Sequence, residues 1–256
     1  LSNSRPFSTA RFTFTKSRAR LRFKQKRSNA IKLEAIGVGS GVEIGERGYV
    51  SFIVWNNDES DGILFECGVT VFPEIRKIER TTGRDIISKI GTVAISHLHE
   101  DHAGSLSGMF IWRLRHFGKT RAAGVDLHDY FKLIGHSYDK WISGIDERVK
   151  RIPVSHTSAP QEFALSYGGV FYSGDTNKAL LGLPEAKSAK VILHEASPIT
   201  GPNHTFIDDL AASGDAEILA KTWIVHCPDG DIDELTKRAK ELGFAGMLQK
   251  GQILEF

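Results

Sequence analysis

The segment Ser96-His97-Leu98-His99-Glu100-Asp101-His102-Ala103-Gly104 gathers three imidazoles and a ligand-type carboxylate, Asp101, within six positions. A lone histidine is usually a satisfied polar residue, but few structural needs explain this density. The apolar run 92–95 precedes it and reads as a buried strand. At the exit of a strand, His97 and His99 project to the same side by the period of two, and a tight turn then aims Asp101 and His102 at a neighbouring point. Neutral imidazoles and a carboxylate are the donors that zinc prefers, while manganese and iron also occupy sites rich in nitrogen and oxygen. A pair of such cations lowers the pKa of a shared water and stabilises both the attacking and the leaving oxygen. Phosphodiester hydrolysis needs both effects.

With these residues in place, the sequence resembles the metallo-β-lactamase superfamily, whose H-x-H-x-D-H signature is matched by His97, His99, Asp101 and His102. The resemblance continues in order through Val154-Ser155-His156, Ser173-Gly174-Asp175-Thr176 and Ile224-Val225-His226, and it covers residues 31–256. It implies an αββα four-layer sandwich with two mixed sheets. It also implies two zinc ions, the first held by His97, His99 and His156 and the second by Asp101, His102 and His226. Asp175 stands between them, and a shared hydroxide attacks phosphorus.

Three further features resemble the branch containing ribonuclease Z and cyclic-nucleotide phosphodiesterases, including phage enzymes that destroy cyclic-nucleotide immune signals. Ile36-Gly37-Val38-Gly39-Ser40 is similar to that branch's opening L-G-T-G-S stretch, and Asp175 stands where many true β-lactamases carry cysteine. His194-Glu195-Ala196-Ser197 resembles the H-E-A-T motif, and His204-Thr205 the later histidine motif. The resemblance makes Asp101, Glu195 and His204 the catalytic residues, with Glu195 orienting His204 and His204 giving a proton to the leaving oxygen. His194 is left as either a supporting or a merely packed residue, and Glu100 is expected to face solvent. Arg113, Arg115, His116 and Lys119 form a basic stretch that either reaches a phosphate or lies on a solvated helix face.

The chain departs from ribonuclease Z in two places. His156 and Asp175 are only 19 positions apart, a distance filled by two strands and the turn at Gly168 and Gly169, so no tRNA-gripping arm fits there. Glu195 and His204 are nine positions apart, shorter than is usual in that group. The preferred substrate is therefore a small phosphodiester, a 3′,5′-cyclic nucleotide first. RNA cleavage, hydrolysis of a thioester or lactone on the same fold, and a non-catalytic scaffold remain as alternatives. A homodimer is expected by resemblance.

The elements around these residues read as short strands followed by helices. Strands are expected at 31–36, 49–55, Gly62–Phe65, 92–95, 151–154, 161–167, Val170–Tyr172, 191–193 and Thr222–Val225. Helices are expected at 73–80, 103–117, 207–221 and Ile232–Leu242, and the end of the chain reads as a hairpin of 244–248 with 252–256 around Lys250 and Gly251. That order favours an α/β layered sandwich with mixed sheets over a doubly wound sheet.

The net charge of +2 hides an asymmetry. Residues 1–30 hold nine basic side chains and no acid; the remainder keeps 24 of the 33 basic groups against all 31 acidic ones, a net of −7. An acidic body offers a poor footprint for a long polyanion, whose non-specific affinity comes mainly from Lys and Arg. The first 30 residues lack a core-forming period and read as a tail, with a mitochondrial transit peptide, a nucleic-acid arm or translation upstream of the true start as alternatives. No run of 18 apolar residues occurs, which argues against a membrane-spanning helix. Only Cys67 and Cys227 are present, excluding a disulfide framework and suiting a reducing compartment. The expected location is cytoplasmic, or mitochondrial if the tail is a transit peptide.

Overall fold

The computed structural model describes residues 31–41, 45–157 and 161–256, so the basic tail assigned to residues 1–30 lies outside the described residues. The strands in chain order are Lys32–Gly37 (β1), Ser51–Trp55 (β2), Gly62–Phe65 (β3), Ile90–Ile95 (β4), Thr120–Gly124 (β5), Ile142–Ile145 (β6), Lys150–Pro153 (β7), Phe163–Tyr167 (β8), Val170–Tyr172 (β9), Val191–Glu195 (β10), Thr222–Val225 (β11), Gly246–Met247 (β12) and Ile253–Glu255 (β13). They form one sheet of order β13-β1-β2-β3-β4-β5-β6 and another of order β12-β11-β10-β9-β8-β7. Both are mixed: β3 to β6 and β9 to β12 run parallel to their neighbours, while β1 to β3 and β7 to β9 are antiparallel.

Three buried clusters define four layers. In β2, Phe52 and Val54 enter a central cluster with Leu165, Tyr172, Leu193 and Val225 of the other sheet. Their alternates Ile53 and Trp55 enter an outer cluster with Ile75, Leu106 and Phe110, which lie on helices. On the other side, Ile192 and Ile224 pack outward against Leu210, Ile218 and Leu235, also on helices. Because both faces of each sheet are covered, the strand period of two divides every central strand between two interfaces and leaves no polar face. Each fully buried aliphatic or aromatic side chain contributes about 1.5–3 kcal/mol. The result is the αββα sandwich expected from the sequence.

Four local expectations change. The final segment is not a hairpin: β12 pairs in parallel with β11, whereas β13 pairs antiparallel with β1 in the opposite sheet. The turn is real, with Gly251 at φ 79° and its N–H on Ala35 O, but it carries the chain across the sandwich. The helix expected over 207–221 is two short helices, Ile207–Ala212 and Ala216–Ala220, because Gly214 interrupts it and Asp215 caps the second by accepting from Ile218 N. The helix expected from 103 begins at Leu106, after a separate turn, Glu100–Ala103, that carries two of the clustered residues. Arg113 is neither solvated nor near the histidines: it is buried and donates to Ile87 O, Ser88 O and Thr120 Oγ1.

Candidate metal centre

Most of the candidate residues lie at or just beyond the carboxyl end of a strand, with Asp101 and His102 on the short helix after β4 and His204 in the loop after β10. His97 follows β4, His156 follows β7, Asp175 follows β9, Glu195 ends β10 and His226 follows β11. The two sheets are tied together at this edge, where His226 N donates to Val38 O (2.9 Å) and Phe163 N donates to Ser96 O (3.2 Å). Parallel strands from two sheets therefore deliver residues far apart in sequence to one point. Gly41 closes against it, since a Cβ there would sit 2.6 Å from Asp101 Cγ.

His97, His99 and His156 each offer a ring nitrogen within 4.8 Å of the others, and Asp101, His102, Asp175 and His226 form a second such group. Asp175 lies between them: its Oδ2 is 3.6 Å from His156 Nε2 and 3.4 Å from His102 Nε2, and its Oδ1 is 3.3 Å from His226 Nδ1. Asp101 Oδ2 is 3.0 Å from His226 Nε2 and 3.2 Å from His102 Nε2. His102 Nε2, Asp175 Oδ1 and His226 Nδ1 are buried and make no protein hydrogen bond despite this closeness. His97 Nε2 and His99 Nδ1 lie in hydrogen-bond contact, as do His226 Nε2 and Asp101 Oδ2, but buried polar atoms are normally satisfied, so the three left without a partner fit cations placed among them.

Burial pushes His97 down to about 2, with the neighbouring His102 adding to the effect, so its ring is neutral as a metal ligand must be. Burial alone would raise Asp101 and Asp175, but the facing imidazoles of His102 and His226 outweigh it and hold both carboxyls below their usual range. For His102, burial opposes a charge, and the carboxylates of Asp175 and Glu66 overcome it and raise the ring.

Glu195 is buried and accepts from His204 Nδ1 (2.9 Å) and Thr205 N (2.8 Å). Burial raises its carboxyl, and the bond to Glu195 in turn raises His204. With Nδ1 committed, the other ring nitrogen of His204 has no hydrogen-bond partner among the described residues. The same histidine comes within 4.8 Å of His156 and Asp175, so neither distance nor its bond to Glu195 separates it from a ligand. His194 is fully buried, donates from Nδ1 to Glu195 O and accepts at Nε2 from Leu180 N, and is depressed to about 4 by burial. It is a packed, neutral residue. Glu100 is exposed, as expected.

Sequence reasoning missed the residues that aim the histidines. Glu66, wholly buried at the end of β3, lies 3.4 Å from His102 Nδ1 and accepts from Ser96 N. Glu66 (φ 59°) and His226 (φ 55°) both occupy the left-handed region, uncommon for such side chains and found here only beside the site and at Glu59 among the described residues. Glu162 accepts from His156 N and Thr157 N, and His156 Nδ1 donates to Asn203 O at 2.6 Å, which leaves His156 Nε2 for a metal. The available signal was an acid inside an apolar run, Phe65-Glu66-Cys67; Glu162, which follows Gln161 at the start of one, carried none.

His99, Asp101, His156, Asp175, Glu195, His204 and His226 face a cavity of about 410 Å³. Its wall includes Ser40, Ala196, Ile199, Pro228 and Asp231 beside the histidines and carboxylates.

Among solved structures, the chain is similar to the metallo-β-lactamase fold protein YhfI from Bacillus subtilis, with a TM-score of 0.69 and 18% identity over 89% of this chain and 100% of that one. It is similar to the short form of human tRNase Z (TM-score 0.64, 15% identity, 87% and 98% covered) and to a diphosphatase of the PhnP family (0.62, 18%, 88% and 98%). The chain has the metallo-β-lactamase fold. No protein-family model matches its sequence, and no curated protein matches it.

Proposed function

We propose that this protein is a binuclear zinc phosphodiesterase acting on a small diester, with a 3′,5′-cyclic nucleotide as the first candidate. The observation that carries the reading is the pair of adjacent ligand groups with Asp175 between them, and the Glu195–His204 pair on the wall of the same cavity. His97, His99 and His156 would hold one ion, and Asp101, His102 and His226 the other. Two ions so held supply an activated water and charge neutralisation at the phosphate.

The chain's own residues do the rest. Asp101 and Asp175 stay ionised, Asn203 O fixes which nitrogen of His156 faces inward, Glu66 sets a carboxylate 3.4 Å from His102 Nδ1, and Glu195 holds the His204 ring. His204 then donates a proton to the departing oxygen, a role typically worth about 100- to 10,000-fold.

Tyr167, Gly168, Gly169 and Val170 turn β8 directly into β9, which argues against an inserted RNA-gripping arm in that stretch of the described residues. No helix among the described residues is long and apolar enough to cross a membrane. The likeness to tRNase Z keeps RNA cleavage as the second reading. Turnover of cyclic nucleotides, measured beside a tRNA precursor and a thioester, tests the proposal: preference for the cyclic diester supports it, and selective cleavage of either other substrate overturns it. The homodimer and a cytoplasmic setting belong to the same reading.

A further inference from the structure

The cavity wall carries one acidic side chain with no direct partner among the described residues. Among the described lining residues there is no Lys or Arg, yet Asp231 is present. Its neighbour Asp229 pairs with Arg47 at 3.4 Å, whereas the Asp231 carboxylate has no hydrogen-bond or ion-pair partner among the described residues. Asp231 occupies the N-cap position of the helix Ile232–Leu242, where aspartate ordinarily turns onto the first-turn amides. Here it makes no such bond and lines the cavity instead. The helix start cannot serve as an anion cradle either, because Asp233 and Glu234 already crowd its first turn.

We infer that Asp231 is a specificity-determining residue that restricts the site to phosphodiesters bearing a single negative charge and turns away phosphates bearing a second. This rests on the phosphodiesterase reading. A diester carries one charge, whereas a terminal phosphate carries about −1.5 to −2 near neutrality. Both groups can meet the metal ligands, so discrimination has to come from the wall. Ile199 and Pro228 complete that wall with apolar surface, Ile199 being 70% exposed, which suits the uncharged part of a diester. Each extra unit of ligand charge facing a carboxylate across a partly hydrated cavity should cost on the order of 3- to 10-fold in affinity.

The test uses the metal-loaded full chain and its Asp231→Asn and Asp231→Lys variants. The first readout is kcat/KM for p-nitrophenyl phosphate relative to bis(p-nitrophenyl) phosphate. The second is calorimetric binding of inorganic phosphate, which requires no turnover. The monoester-to-diester ratio should rise roughly 3- to 10-fold in Asp231→Asn and further in Asp231→Lys, phosphate should bind more tightly in the same order, and roughly 0.5 M salt should shrink the differences. Equal ratios and equal phosphate affinities in all three proteins at low salt would overturn the assignment. If the wild type hydrolyses neither ester, the phosphodiesterase reading fails, and the phosphate titration still decides the role of Asp231.

Discussion

Replacing His204 by alanine separates proton donation from metal ligation. The ring is bound through Nδ1 to Glu195 Oε2 at 2.9 Å, and its side chain is 41% exposed on the cavity wall. If its role is to give a proton to the leaving group, as proposed above, it should not be needed to hold an ion. Loss of a positioned general acid costs about 100- to 10,000-fold, equivalent to about 3–5 kcal/mol in the barrier. That loss should appear in full on a diester with an alkoxide leaving group. Bis(p-nitrophenyl) phosphate releases a stable phenolate and needs little protonation, so the same variant should lose roughly 10-fold or less on it. Glu195→Gln should follow the pattern more weakly, because an amide oxygen can still accept from His204 while the supporting charge is gone. The assay is kcat on both substrates, with metal content measured on the same samples. Equal losses on the two substrates, or loss of metal from His204→Ala, would refute the assignment.

Further outcomes follow from the residues around the site and from one ion-pair cluster away from it. Glu66→Gln should weaken metal affinity by roughly 10- to 100-fold while the protein stays folded, because Glu66 faces His102 Nδ1; chelator competition measures it. Gly41→Ala should also lower metal occupancy, since the new Cβ would collide with the Asp101 carboxylate, and elemental analysis checks this. Asp146 is held well below the usual carboxylate range by the Arg148 guanidinium, with burial opposing and Thr92 adding a hydrogen bond. Unfolded, it would titrate near about 4, so the folded state binds fewer protons; its stabilisation is present above that pH and is lost as pH falls toward the lower folded value. Asp146→Asn should therefore cost stability near neutrality, on the order of 1–3 kcal/mol, and flatten the acid limb of a plot of Tm against pH.

Legibility in the sequence followed the locality of each signal. The run from His97 to His102 is dense enough to read alone, and His156, Asp175 and His226 are legible because their local motifs follow in the order the resemblance requires. Glu66 and Glu162 escaped because a single acid has no spacing partner; their partners, His102 and the backbone at His156, exist only after the chain folds. Arg113 was grouped with surface cations by proximity in sequence, although helix packing turns it inward onto Ile87 O and Thr120. Strands β5 and β6 went unread: Thr-Arg-Ala-Ala-Gly lacks branched residues after its first, and Gly144 interrupts β6 at φ 151°. The final turn was legible, but turn residues specify a reversal of direction, not which of two sheets receives the next strand.

The central claim is that this chain is a two-metal enzyme, and the most direct test is elemental analysis of purified protein coupled to diester turnover. The account predicts close to two transition-metal ions per chain, zinc foremost, with His97→Ala, Asp175→Ala and His226→Ala each losing metal and nearly all activity. A metal-free sample that hydrolyses diesters at the full rate would contradict it.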